Sequence, residues 1–208
     1  MLTPPDPVLP AGYTLRPMVW ADLPAVHALE TRLFPQDAWP LHFFEDELSQ
    51  AGPQQDGGTR DYRVIEVHGP DAADGKTQAG QPAGGAGEAD GRAGGAGEAD
   101  GRAGAGVVGY CGLMCVPPLA DVQTIAVVPE AEGRGLGTAM LQWMVAEAAR
   151  RGARDVLLEV RADNPRAQQL YLRHGFEHIH TRAGYYPGGH GAPPVDALIM
   201  RRQLLQGG

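Results

Sequence analysis

The sequence predicts a mixed α/β domain, a mixed sheet with helices on its faces. Three observations carry this. Strand-like and helix-like stretches alternate along the chain. A glycine cluster, "EGRGLGTAML" at 132–141, joins a strand to a helix. A further strand, "DVLLEV", follows that helix. Strand, glycine turn, helix and strand in that order make a βαβ unit, with parallel strands and a right-handed crossover.

Each element has its own signal. "YTLRPM" is a short strand. Asp22 and Pro24 open a helix through "LPAVHALETRLF". "WPLHFFEDELSQ" is a second helix, with Phe43, Phe44 and Leu48 as its apolar residues. "YRVIEV" alternates like a strand, and "VVGYCGLMCV" is the next one. "VQTIAVV" is a strand that Pro129 stops. The helix from Leu136 to Arg151 carries a stripe of Leu136, Met140, Trp143 and Met144. Arg150 and Arg151 suit its negative C-terminal end, and Gly152 suits the position just beyond. "NPRAQQLYLRHG" is a helix with Asn164 as N-cap, Pro165 in its first position and Gly175 past its end. "FEHIHTRAGYYP" and "DALIMRRQL" form a closing pair of strands.

Residues 1–208 read as one domain carrying an insertion at 68–106. That tract is rich in Gly and Ala, and "AGGAGEADGR" occurs twice in it, at 83–92 and 93–102. It has no apolar periodicity with which to offset its ordering entropy, so a disordered loop is expected, at a hairpin tip between two strands. Long insertions there are tolerated because closure entropy grows slowly with length. "GGAGEAD" faintly resembles a calcium-binding nonapeptide repeat, but the acid is misplaced and the buried aliphatic residue is missing, which favours the loop reading.

Composition narrows the function. The 208 residues are 43% hydrophobic, enough for one core, and the formal net charge is −8. That sign argues against direct nucleic-acid binding and suits a basic partner. The N-terminus "MLTPPDPVLPAGY" has no basic segment followed by an apolar one, and no run could span a membrane, so the chain reads as cytoplasmic. Cys111 and Cys115 would share a strand face about 13 Å apart, too far for a disulfide. Ser49 is the sole serine and lacks flanking glycines, which excludes a nucleophile elbow. Lys76 is the sole lysine and stands outside the glycine cluster, which excludes a P-loop.

The cluster itself reads as an anion cradle. Gly133, Gly135 and Gly137 let the backbone approach closely, and a helix N-terminus supplies unpaired N–H groups. Its spacing is G-x-G-x-G, not the G-x-G-x-x-G of dinucleotide folds. Together with its flanks, "QTIAVVPEAEGRGLG" and "LEVRADNPRAQQLY", it resembles the acetyl-CoA-binding core of the GCN5-related N-acetyltransferase (GNAT) superfamily. With "GF", "YYP" and "DALIM" it is similar to the ribosomal-protein-alanine N-acetyltransferase (RimI-type) branch. The resemblance covers roughly residues 12–67 and 107–203. Glu132 stands where that pattern, Q/R-x-x-G-x-G/A, has Gln or Arg.

The resemblance implies a twisted, mostly antiparallel sheet around the parallel unit. It implies acetyl-CoA as cosubstrate and no metal. The pyrophosphate would lie on Gly133, Arg134, Gly135, Leu136, Gly137 and Thr138, and the pantetheine arm along Ile125, Ala126 and Val127, with Asn164 also at the coenzyme. Glu159 would be the base and Tyr171 the acid for the leaving thiolate, with Tyr185 and Tyr186 over the acceptor. On residues alone, Glu159 also reads as a solvent-facing strand carboxylate, Tyr171 as a packing residue, Asn164 as a cap and "GYYPGG" as a hairpin tip. His174, His178, His180 and His190 include one pair, His178 and His180, that would share a strand face, but no acidic or thiol ligand joins them. The implied acceptor is the N-terminal amine, an alanine, of a protein such as ribosomal protein S18. Two other readings stay open: another amine (lysine, polyamine or antibiotic), and a non-catalytic acetyl-CoA-binding module.

Overall fold

The computed structural model describes residues 7–53, 56–68, 106–188 and 192–204. The repeat tract, with the reading of it as a disordered loop, and His190 lie outside the described residues. The elements run β1 (Tyr13–Pro17), α1 (Leu23–Leu33), α2 (Leu41–Ser49), β2 (Arg60–Val67), β3 (Val107–Val116) and β4 (Leu119–Val127). They continue with α3 (Leu136–Arg150), β5 (Asp155–Arg161), α4 (Pro165–Arg173), β6 (Glu177–Tyr186) and β7 (Val195–Gln203). Among the described residues the strands form one sheet in the order β1-β2-β3-β4-β5-β7-β6. Only β4–β5 is parallel, the pair that α3 connects. None of the described helices is long and apolar enough to cross a membrane.

Alternation along the strands divides the core between the two faces. Tyr62, Val64 and Tyr110 meet Leu23 and Val26 of α1 and Phe44 and Leu48 of α2. Their neighbours Ile65, Cys111 and Leu113 meet Leu136, Met140, Leu141 and Met144 of α3. Helices therefore cover both faces, as expected. Both cysteines are buried free thiols.

Two local expectations need correction. Asp22 does not cap α1 with its side chain. Its carboxylate instead accepts from both Nη atoms of Arg16, at 2.6 and 2.8 Å, and from the Val19 N–H. Phe43 lies off the stripe that Phe44 and Leu48 form one turn apart, and is 47% exposed. The caps of α4 are as predicted: Asn164 Oδ1 accepts from the Ala167 N–H at 3.0 Å, and Gly175 has φ +77°.

β2 and β3 are antiparallel neighbours, and the Val67 N–H donates to the Gly106 carbonyl at 2.9 Å. The insertion thus leaves and re-enters the sheet at one point. On β4 the partners of Leu113 and Gly112 are Val122 and Thr124, so Gln123 is an extra, bulged residue.

Candidate active site

The site begins where two parallel strands part. Leu119–Val122 pair with Asp155–Leu158, and the ladder stops there. Beyond it β4 continues against β3 to Val127, and β5 against β7 to Arg161. Among the described residues the β4 edge at Ile125, Ala126 and Val127 has no strand partner on the β5 side.

A cleft of about 440 Å³ occupies this opening, walled by the N-terminus of α3 and by α4. All the predicted coenzyme residues line it except Arg134, whose guanidinium lies 5.8 Å from the Tyr13 ring. Gly133 and Gly135 have φ of +74° and +80°, and a Cβ at either would meet nothing within 4 Å. Backbone conformation, not packing against protein, therefore requires glycine there, and space beside the loop stays open. The α3 N-terminus adds unpaired N–H groups and partial positive charge, a fit for a diphosphate.

A second cleft of about 200 Å³ opens beside it, lined by Glu159, Tyr186, Gln123, Glu30, Asp37 and Trp39 among others. The two clefts share Ile125, Asn164, Ala167 and Tyr171. Tyr171 therefore stands at their junction, and Glu159 on the second side only.

Glu159 Oε1 accepts from Arg182 Nη1 at 2.8 Å. β7 brings them together, since Glu159 pairs with Ile199 and Arg182 with Ala197. Tyr171 is 5% exposed and its ring packs 5.9 Å from Phe176. Burial, aided by Tyr186, pushes its phenol well above the ordinary range, so the hydroxyl stays protonated. Burial and the nearby Glu159 charge push Tyr186 up to about 12. Tyr186 also lies under the Arg161 guanidinium at 5.1 Å. Tyr185 does not line this cleft; it stacks under Arg182 at 3.7 Å and is 46% exposed.

Loop 34–40 closes the second cleft. Arg161 Nη1 donates to Asp37 Oδ2 at 2.8 Å, tying the end of β5 to this loop. Glu30, 3% exposed, accepts from the Trp39 N–H at 3.0 Å and from the Tyr110 hydroxyl. Arg182, Asp37 and Glu30 carry no local sequence signal, because the contacts that bring them to the site span many residues. Gln123 is legible only once the β3–β4 register is known.

The histidine pair is not preserved. His178 pairs with Met200 and His180 with Ile199, consecutive residues of β7, so the slip between them puts the two on opposite faces. Among the described residues no group of three His, Cys, Asp or Glu is placed to hold a metal.

The profile of the acetyltransferase (GNAT) family matches residues 71–176. The ribosomal protein bS18-alanine N-acetyltransferase of Escherichia coli (strain K12) is 41% identical over 81 residues, which cover 39% of this chain and 53% of that protein. The N-alpha-acetyltransferase RimI of Mycobacterium tuberculosis is 39% identical over 100 residues, covering 46% of this chain and 59% of that one. The chain thus spans a little over half the length of these two relatives. The crystal structure of the E. coli ribosomal-protein-S18-alanine N-acetyltransferase superposes with a TM-score of 0.64 at 24% identity, over 94% of this chain and 96% of that one. The profile match covers half of the sequence and takes in the glycine loop, β5 and α4, and on it the chain belongs to the acetyltransferase (GNAT) family.

Proposed function

We propose that the chain is an acetyl-CoA-dependent N-α-acetyltransferase acting on the N-terminal amine of a protein. The observation that carries this is the junction of the two clefts: Tyr171 lines both, and Glu159 lines only the second. The larger cleft would hold acetyl-CoA, its diphosphate on the N–H groups around Gly133 to Thr138 and its pantetheine arm along the unpartnered β4 edge as an added strand. The thioester would then lie near Tyr171, and the amine would approach through the smaller cleft.

An N-terminal α-amine has a pKa of about 7.7–8.0, so much of it is protonated at neutral pH and cannot attack. Glu159 accepts that proton, directly or through water. The amine nitrogen attacks the thioester carbonyl, and an N–H of β4 holds the oxyanion. As the tetrahedral intermediate collapses, the C–S bond breaks, the Tyr171 hydroxyl donates to the thiolate, and the proton shed by the new amide nitrogen restores Tyr171 through water. Burial keeps that hydroxyl protonated until it is needed. Glu159 must loosen from Arg182 to act, and both side chains are partly exposed.

Within this reading we assign the acceptor to the ribosomal-protein class, with an N-terminal alanine as in S18. Two curated relatives have N-terminal acetyltransferase names, one of them specifying bS18-alanine. A net charge of −8 suits a basic acceptor, and Glu30, Asp37 and Glu159 line the smaller cleft. Such an acceptor would place the reaction in the cytoplasm. The test is acetyl transfer from acetyl-CoA to a panel of N-terminal peptides and polyamines, with mass spectrometry locating the acetyl group. Acetyl on the α-amine of an S18-type peptide is expected. An inert peptide beside an active polyamine would sink the acceptor assignment.

A further inference from the structure

An ion pair lines the larger cleft at a position where the family loop pattern carries no acid. Glu132 closes the turn after β4, and Arg166 stands in the first turn of α4. Both line the cleft, and Arg166 Nη1 bonds Glu132 Oε2. Arg173, farther along α4, lines it too. A carboxylate beside a diphosphate site opposes the incoming anion, and Arg166 offsets that charge only while the pair is closed. The side chains are 64% and 37% exposed, and a pair so hydrated exchanges partners readily. A guanidinium bonds phosphate oxygens in the same forked geometry as carboxylate oxygens.

We propose that Glu132–Arg166 is a displaceable strap over the coenzyme cleft. When acetyl-CoA enters, Arg166 exchanges the Glu132 carboxylate for a phosphate of the coenzyme, and Glu132 turns to water. Glu132 is then a competitor that weakens coenzyme binding, and Arg166 a specificity residue for the phosphorylated end. Neither touches the reacting atoms. The inference rests on the reading of this cleft as the acetyl-CoA site.

The experiment measures CoA and dephospho-CoA binding by calorimetry for wild type, Glu132→Gln, Arg166→Ala and the double variant. Initial rates at varied acetyl-CoA accompany them, and thermal melts control for folding. Glu132→Gln is expected to tighten CoA binding by roughly three- to fivefold, and Arg166→Ala to weaken it by roughly five- to tenfold. In the Arg166→Ala background, Glu132→Gln recovers only part of the loss. KM for acetyl-CoA follows these changes while kcat holds. If the Arg166→Ala effect vanishes with dephospho-CoA, the contact is the 3′-phosphate; if it persists, it is the diphosphate. Either result supports the strap. Unchanged or weaker binding by Glu132→Gln, or unchanged binding by Arg166→Ala, overturns the strap alone. A wild-type chain that does not bind CoA overturns the cleft reading and the strap with it.

Discussion

Glu159 is held by one exposed arginine, whereas Tyr171 is shut away from solvent against Phe176. These surroundings suit the opposite tasks proposed for them. A base that exchanges protons with an arriving amine needs water or substrate within reach. An acid that must keep its proton gains from burial, because desolvation disfavours phenolate. Glu159→Gln should lower kcat by about 10²- to 10⁴-fold while leaving calorimetric CoA affinity unchanged. A wild-type rate in that variant would remove Glu159 from the chemistry. Tyr171→Phe should lower kcat without moving KM for the peptide. With its phenol held above the ordinary value of 10.0, Tyr171 remains a donor through the alkaline range. The pH–kcat profile should therefore rise with deprotonation of the amine and then stay level. A fall centred near pH 10 that Tyr171→Phe abolishes would contradict the environment assigned to it.

The elements that place these side chains were legible where their signals are local. Gly135 starts α3 in a left-handed conformation, and Asn164 and Gly175 bound α4. Each is a choice of residue at one position, visible without knowing the fold. The C-terminus of α3 shows the limit of such reading. Arg151, expected to complement the helix dipole, is a buried hub only 2% exposed at its side chain. It donates to Glu147 Oε1 at 2.7 Å and to Asp61 Oδ2 at 3.1 Å, pinning α3 to β2. Removing it should cost about 1.5–3 kcal/mol, because Glu147 keeps Arg150 and Asp61 keeps Arg63 as partners. Burial pushes Glu147 up, but hydrogen bonds from Arg150 and Arg151 outweigh that and hold it below its ordinary 4.5. A folded pKa below the unfolded one adds stability that is complete above about pH 4.5 and is lost as pH falls through the folded value. In urea unfolding, Glu147→Gln should therefore be clearly destabilising at pH 7, with the gap to wild type closing well below pH 4.5. An equal gap at pH 3 and pH 7 would show that the Glu147 charge is not what stabilises this end of α3.

For the whole molecule, composition and element order made the two-faced α/β architecture legible, but not the order β5-β7-β6 or its registers. Those depend on pairings between distant residues and on slips at Gln123 and between His178 and His180, which no local pattern encodes. The same pairings set how far the insertion can influence the site. Its ends are tied together at the sheet, with Val67 and Gly106 joined backbone to backbone at 2.9 Å. Excising 70–105 would leave His68 and Gly69 between them, a two-residue connection of the length antiparallel hairpins favour. β2 and β3 pair from Arg60 to Glu66 without any residue of the tract. Folding would lose only a loop-closure cost that grows slowly with length. The excised chain should therefore keep kcat/KM within a few-fold of wild type and melt at an equal or slightly higher temperature. A large loss of kcat/KM with folding intact would mean that the repeat tract contributes to acceptor or coenzyme binding. The reading of the tract as a linker loop would then have to be abandoned.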